Sequence, residues 1–296
     1  MAIKLYGKVF VVTVPFHLEV LLMILLVHSN KDPAGINIAK SIHQRLQFKR
    51  TGETFQESPV YTVEIGDKQV THIMLNEEPI YPQGLPESFP DAQLIVFISR
   101  HSSQSGKPTL SVHVPGNFAE AELGGLPRQI SVAPANAMQT ALRALDCLKM
   151  ERQLGYEVSY ECTHHGPSLR VPTMFVELGS SEKQWADEEA AEVVGQAALE
   201  AIVSFGTLGA SAVLGIGGTH YNQKFTTMAL SGEAAFGHMI PKYALPQVDL
   251  EMLQQCVERT WEKVDCAVLD WKGIKSEDKP KLVASLAELG LQVRKV

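Results

Sequence analysis

Histidine is the side chain whose charge changes nearest neutral pH, and it is a common ligand of divalent metals. This 296-residue chain carries ten of them, several at what read as strand ends. The densest setting is Glu161-Cys162-Thr163-His164-His165-Gly166-Pro167. Neighbouring positions at a strand end face different sides, so one imidazole can enter a pocket while the other orients it. Gly166 and Pro167 impose a sharp turn that presents the pair. A neutral imidazole here suits a divalent metal or a general base, with Thr163 at its side. A hydrogen-bonded structural pair is the competing reading, and sequence leaves both open.

Three further segments carry chemistry-bearing residues. In Phe175-Val176-Glu177-Leu178-Gly179-Ser180-Ser181-Glu182, Glu177 sits on a buried strand as a metal ligand, a partner for a histidine or a proton acceptor. Ser180 or Ser181 would cap the helix that follows, and a helix N-terminus there can receive a phosphate or an oxyanion. In Gly215-Ile216-Gly217-Gly218-Thr219-His220-Tyr221, the glycines allow backbone N–H groups close to a substrate. Thr219 and His220 would stand at the rim. Ser99-Arg100-His101-Ser102-Ser103 offers donors from Arg100, His101 and Ser102 to an anion. His238, in Phe236-Gly237-His238, lies four residues before Lys242, which could touch a phosphate backbone. His113 and Asn117 lie one strand beyond the Ser99 segment. The residues expected to do chemistry are therefore His164, Glu177, His220 and Thr163. Arg100, His101, Ser102, Gly217, Gly218, Thr219 and Lys242 are expected to bind substrate, and His164, His165, His220 and His238 are the metal-ligand candidates.

Several chemistries are excluded by spacing. The Gly215-Ile216-Gly217-Gly218 run lacks the third glycine and the later acidic residue of a dinucleotide fingerprint, and no Gly-Lys-Ser/Thr makes a phosphate loop. No Gly-x-Ser-x-Gly elbow is present. Cys162 as a nucleophile is a minor reading, since side chains two apart on a strand share a face without necessarily touching. Cys147, Cys162, Cys256 and Cys266 form no CxxC pair; buried structural thiols in a reducing, cytoplasmic setting are expected. The formal net charge of −7 gives no global field for nucleic acid. A local basic stretch such as Lys40 to Arg50 remains available, as a binding face or merely a solvated one.

What must position these residues is an alternation of strands and helices, the pattern of an α/β domain. Strands are expected at 24–27, 60–65 and 70–75 (a hairpin about Gly66-Asp67), 94–98, 109–114, 158–161, 173–178, 212–216, 235–238, 266–269 and 292–294. Helices are expected near 36–46 behind an Asp32-Pro33 start, and at 135–154, 184–204, 250–263 and 279–289. Ligands of open α/β sheets bind beyond the carboxyl ends of the strands, where the unusual residues fall. The apolar run from Val9 to Val27 is broken by Pro15, His17 and Glu19, which argues against a membrane span or signal peptide. Residues 1–22 are expected to be an appendage, with a single domain over 23–296.

Taken together, Ser99-Arg100-His101-Ser102-Ser103, Thr163 to Pro167, Glu177 to Ser181 with Trp185 and Ala190-Ala191-Glu192-Val193-Val194, Gly215 to Tyr221 and Phe236-Gly237-His238 resemble the archaeal and plant type of D-aminoacyl-tRNA deacylase. Five motifs match in order from about Met23 to the C-terminus. The resemblance implies hydrolysis of the ester between a D-amino acid and the 3′-terminal ribose of tRNA. It also implies a three-layer α/β/α fold with a central mixed sheet, similar to peptidyl-tRNA hydrolases and phosphorylase-like enzymes, and two zinc ions per monomer. A monomer without membrane attachment is expected. The alternatives are a zinc-dependent amidohydrolase or aminopeptidase without tRNA, and a non-catalytic RNA-binding module.

Overall fold

The computed structural model describes residues 2–5, 8–11, 21–207 and 209–296. The expected appendage falls largely on residues outside these. Strands β1 (Ala2–Leu5) and β2 (Lys8–Val11) pair antiparallel. The main chain of elements opens with β3 (Leu22–Ser29) and α1 (Pro33–Arg45), then β4 (Lys49–Phe55), β5 (Ser58–Ile65), β6 (Lys68–Leu75) and the short α2 (Leu85–Ser88). Next come β7 (Ala92–Ser102), β8 (Thr109–His113), α3 (Ala135–Glu151), β9 (Glu157–Tyr160) and β10 (Thr173–Ser180). After α4 (Glu182–Trp185) and α5 (Glu188–Ser204) follow β11 (Ala212–Ile216), α6 (Gln223–Leu230) and β12 (Ala235–Ile240). The chain finishes with α7 (Leu250–Glu258), β13 (Val264–Leu269), α8 (Lys279–Glu288) and β14 (Gln292–Lys295).

The fold is α/β, as expected, with a mixed eight-stranded sheet in the order β4-β5-β6-β3-β7-β10-β8-β9. A second sheet, all parallel, has the order β12-β11-β13-β14. The central strands of the large sheet are apolar on both faces, as a covered parallel sheet requires. Ile24, Leu26, Val96, Ile98, Val176 and Leu178 face a layer built by α1, α3 and α5. Leu25, Val27, Ile95, Phe97 and Phe175 face the other way, under α2 and loops. The small sheet carries a core with α7 and α8 that includes Leu214, Ile216, Met252 and Leu286.

Two local features tie the frame to the site. Asp32 caps α1 by accepting the Gly35 N–H at 2.9 Å, and its other oxygen accepts the Arg100 N–H at 2.8 Å. Burial outweighs these bonds and raises the Asp32 pKa to about 6. The segment 161–165 laces the two sheets together: the Cys162 N–H donates to His220 O (2.9 Å), and the Thr163 N–H to Met239 O (3.0 Å).

Between β3, β6 and α1 lies a chain of three imidazoles. His28 Nδ1 is 2.9 Å from His72 Nε2, and His72 Nδ1 is 2.7 Å from His43 Nε2. Neutral rings satisfy this arrangement, since each offers one donor and one acceptor. Burial lowers the His28 pKa to about 4 and holds His72 well below its ordinary range, with neighbouring rings adding to both effects.

Boundaries differ from expectation in instructive ways. β7 runs on through Ser102, so Ser99 and His101 sit on a strand rather than in a loop. The expected helix over 184–204 is interrupted at Ala186-Asp187, where Asp187 caps α5 by accepting the Ala190 N–H. β4 and α6 were not expected. β4 is a charged edge strand, KRTGETF, the composition edges use to avoid mispairing. α6 contains two β-branched threonines, and Asn222 starts it by accepting the Phe225 N–H at 3.1 Å.

Candidate active site

Strand register builds the floor of the site. Parallel pairing of β7 with β10 aligns Phe97 with Phe175, Ser99 with Glu177 and His101 with Gly179. Antiparallel pairing of β10 with β8 adds His113 beside Phe175 and Ser111 beside Glu177. These side chains share the sheet face that the long helices do not cover. Phe97 stacks on Phe175 at 4.5 Å between ring centroids, and Phe175 stacks on His113 at 4.9 Å. The Ser99 hydroxyl donates to Glu177 Oε1 at 2.6 Å. Gly179 is needed because a Cβ there would lie 2.5 Å from the His101 carbonyl oxygen.

Around this floor lies a cleft of about 470 Å³, lined among others by Ser99, Arg100, His101, Glu161, His164, His165, Glu177, His220 and Tyr221. His164, His165 and His220 come from loops beyond the strands. His164 and His113 are 4.3 Å apart between centroids, His164 and His165 also 4.3 Å, and His164 and His220 4.5 Å. His165 adopts φ 43°, a left-handed conformation that costs a non-glycine residue roughly 1–2 kcal/mol.

Tautomers follow from the partners. A carbonyl only accepts, so His164 Nδ1–H donates to Cys162 O (2.9 Å) and His165 Nδ1–H donates to Gly166 O (2.6 Å). Both rings are thereby left with an unprotonated Nε2. His164 Nε2 stands 3.7 Å from Glu161 Oε2, electron pair facing electron pair. The second Glu161 oxygen is buried with His101 Nδ1 3.2 Å away, and both ring nitrogens of His113 are buried without a hydrogen bond.

Electrostatics are strongly perturbed. His101 Nδ1 lies 3.2 Å from Glu161 and 3.6 Å from Glu177. Burial favours the neutral ring, but the two carboxylates outweigh it and raise the His101 pKa to about 10. Burial disfavours the charge of Glu177 too, yet His101 and His113 bring its pKa down to about 2. Glu161 is held well below the usual carboxylate range by His101 and His220 against the same burial cost. His165 goes the other way, lowered to about 4 by burial and by His113, and His164 falls well below its ordinary value.

The expected site residues divide accordingly. His164, His165, Glu177, His220, His101, Arg100 and Ser102 all line the cleft. Arg100 is already engaged, with its guanidinium 3.0 Å from both Glu78 carboxylate oxygens and donating to Lys31 O, so its charge is matched within the protein. The remaining expectations need correction. His238 is spoken for at both nitrogens, by the Thr163 hydroxyl at 3.1 Å and Arg259 O at 3.0 Å, which leaves no electron pair for a metal. The Thr163 hydroxyl is buried between His238 and the Met239 N–H, so its work is structural. The Gly217 N–H donates to Ile240 O and is not free for an oxyanion, and neither Gly217 nor Gly218 lines the cleft. Both glycines hold positive φ, 105° and 76°, and shape the turn that carries His220. The Thr219 hydroxyl donates to Tyr221 O, and the Lys242 side chain is exposed outside the cleft lining.

The residues singled out too weakly are Glu161, His113 and Tyr221. Glu161 is the hub of the cluster, and only its place before two histidines hinted at that. Among the described residues, the groups able to hold a metal are His113/His164/His165, Glu161/His164/His220 and His101/Glu161/Glu177. The Cys162 thiol is buried and pushed up by that burial, unsuited to nucleophilic attack, while Cys147 is exposed rather than buried.

Comparison with known proteins places this site in a family. Residues 88–294 match the family model described as D-aminoacyl-tRNA deacylase. A D-aminoacyl-tRNA deacylase of Thermococcus kodakarensis is 38% identical over 267 residues, spanning 88% of this chain and 95% of its own. That of Pyrococcus abyssi is 38% identical over 268 residues with the same coverage. A crystal structure of a conserved protein described as of unknown function superposes with a TM-score of 0.82 at 31% identity, covering 92% of this chain and 95% of the other. The chain belongs to the D-aminoacyl-tRNA deacylase family.

Proposed function

We propose that the chain hydrolyses the ester bond of D-aminoacyl-tRNA, releasing the D-amino acid and the tRNA, and that the cleft around Glu161 is where it does so. Family membership supports the reaction; it gives no support to an amidohydrolase acting without tRNA. The observation that carries the choice of cleft is the apposition of two electron-pair donors, His164 Nε2 and Glu161 Oε2, at 3.7 Å in a pocket of buried, unpartnered imidazole. Such an arrangement is unfavourable by itself and favourable around a cation.

The donor set fits zinc. Imidazole nitrogens with carboxylates are its ordinary ligands, and Nδ1–H bonds to backbone carbonyls are the usual way of aiming a ligating Nε2. His113, His164 and His165 would hold one ion and His101, Glu161 and Glu177 a second, the facing His164 and Glu161 atoms lying where the two groups meet. These two triads share no residue, which supports the two ions the family resemblance implies. To serve in the second triad His101 would have to give up the proton that Glu161 and Glu177 now stabilise. A zinc ion held there would supply Lewis acidity for ester hydrolysis.

The chain's own groups do the rest. The ionised Glu161 accepts from His220 Nε2–H at 2.9 Å, which leaves Nδ1 as the basic atom. That nitrogen faces the mouth, where the Tyr243 hydroxyl now donates to it at 3.1 Å, and it is suited to take the proton of an attacking water. The Tyr221 hydroxyl, 2.9 Å from His101 Nε2, steadies the opposite ring. Ser99 fixes the Glu177 rotamer. Ile80, Leu123 and Phe175 give the cleft an apolar wall for an amino-acid side chain.

The test is single-turnover release of a D-amino acid from charged tRNA beside its L-counterpart, with and without chelator. Selective D-release, lost on chelation and restored by zinc, is the expected result. D-release that survives chelation removes the metal role, and no release of either removes the deacylase reading.

A further inference from the structure

The substrate of this reaction has a chemical feature the cluster does not address. The reacting ester sits on a ribose, so a nucleobase is attached one sugar away and must rest against the protein near the mouth. Single-stranded ends are recognised chiefly by stacking of bases on aromatic side chains. The mouth carries one such surface. Tyr243 is 58% exposed, although its hydroxyl is turned inward onto His220 Nδ1 at 3.1 Å. The two rings are nearly parallel (24°) with centroids 6.5 Å apart. With the hydroxyl touching the nitrogen, that separation sets them edge to edge, so His220 covers neither face of Tyr243. No other aromatic ring lies against Tyr243 among the described residues.

The platform is also fixed in place. Ala244 N–H donates to Pro241 O and closes the turn carrying Tyr243, and Lys242 N–H donates to Gly218 O and ties that turn to the one carrying His220, each at 3.0 Å. Lys242, the preceding residue, is exposed and adds a positive charge to this turn on a chain of net charge −7. A rigid aromatic ring, a basic residue in the same turn and proximity to the proton-moving imidazole occur together here.

Resting on the deacylase reading, we propose that the exposed ring of Tyr243 is a stacking platform for a nucleobase at the 3′ end of the tRNA. Its hydroxyl meanwhile sets the His220 ring.

The test compares wild type with Tyr243→Ala, Tyr243→Phe and Tyr243→Trp. It measures Kd for an uncharged RNA oligonucleotide ending in the tRNA 3′ sequence, together with KM and kcat for D-aminoacyl-tRNA. Loss of the ring should weaken oligonucleotide binding roughly ten-fold or more and raise KM correspondingly. Phe and Trp, which keep a stacking face and lack the hydroxyl, should bind within a few-fold of wild type. Unchanged oligonucleotide affinity in Tyr243→Ala overturns the proposal, as does equal weakening in all three variants, which would assign the effect to the hydroxyl. A wild-type chain that binds the oligonucleotide and releases no D-amino acid would instead sink the deacylase reading.

Discussion

The imidazole chain His28–His72–His43 should make the fold acid-sensitive by an amount that can be worked out. In an unfolded chain each ring takes a proton near pH 6.5, whereas folded His28 resists until about pH 4 and burial holds folded His72 well below its ordinary range as well. Below 6.5 the unfolded state therefore binds more protons, and stability falls as pH falls. The contribution is complete above about pH 6.5 and drains away on the way to pH 4. For one ring, moving from pH 7.5 to pH 5 costs about 2 kcal/mol by the linkage relation. Replacing His72 with Gln, which keeps a polar side chain between its neighbours, should remove about that much from the stability difference between the two pH values. Urea unfolding of both proteins at pH 7.5 and pH 5 reads it directly. At pH 7.5 the variant should be the less stable, by roughly 1–3 kcal/mol, because His28 and His43 lose a partner. An acid sensitivity identical in the two proteins would refute the assignment of neutral, buried rings.

Three shorter predictions concern the site. His164→Ala should lose bound zinc as measured by metal analysis after dialysis, while His238→Ala, whose nitrogens face Thr163 and Arg259, should retain it. Gly179→Ala should destabilise the protein by about 1–3 kcal/mol through its clash with His101, seen in a urea midpoint; an unchanged midpoint would mean the strands can spread. Iodoacetamide should label Cys147 well before Cys162, and Cys162→Ala should still release D-amino acid; its loss of turnover with the fold intact would restore the thiol as a nucleophile.

How much of this was readable in advance depended on distance along the chain. The histidine-bearing segments, the α/β class and most elements follow from local pattern: alternation in Thr109–His113, a cap and a proline at Asp32-Pro33, an apolar run before Gly217. Glu177 could be placed on a buried strand for the same reason. What no local pattern carries is register. His113 reaches the cluster only because β8 runs antiparallel to β10, which sets it beside Phe175. Glu161 becomes the hub only once His101 and His220 arrive from strands far off in sequence. His238 misled because a histidine at a strand end looks the same whether its nitrogens are free or, as here, consumed by Thr163 and Arg259. The Gly217 N–H misled similarly, since its acceptor, Ile240, lies on another strand.

The lacing of residues 161–165 to the second sheet has a consequence for assembly. Glu161 and His164 follow a strand of the large sheet, whereas His220 and Tyr221 follow a strand of the small one, and backbone hydrogen bonds to His220 and Met239 close the seam between them. The reactive constellation therefore exists only when both sheets have formed and docked. A chain without the small sheet keeps the six ligand candidates but lacks His220, and one without the large sheet lacks the ligands, so partly folded molecules are silent rather than unselective. Turnover on this protein is in effect a coincidence detector for its own completed fold.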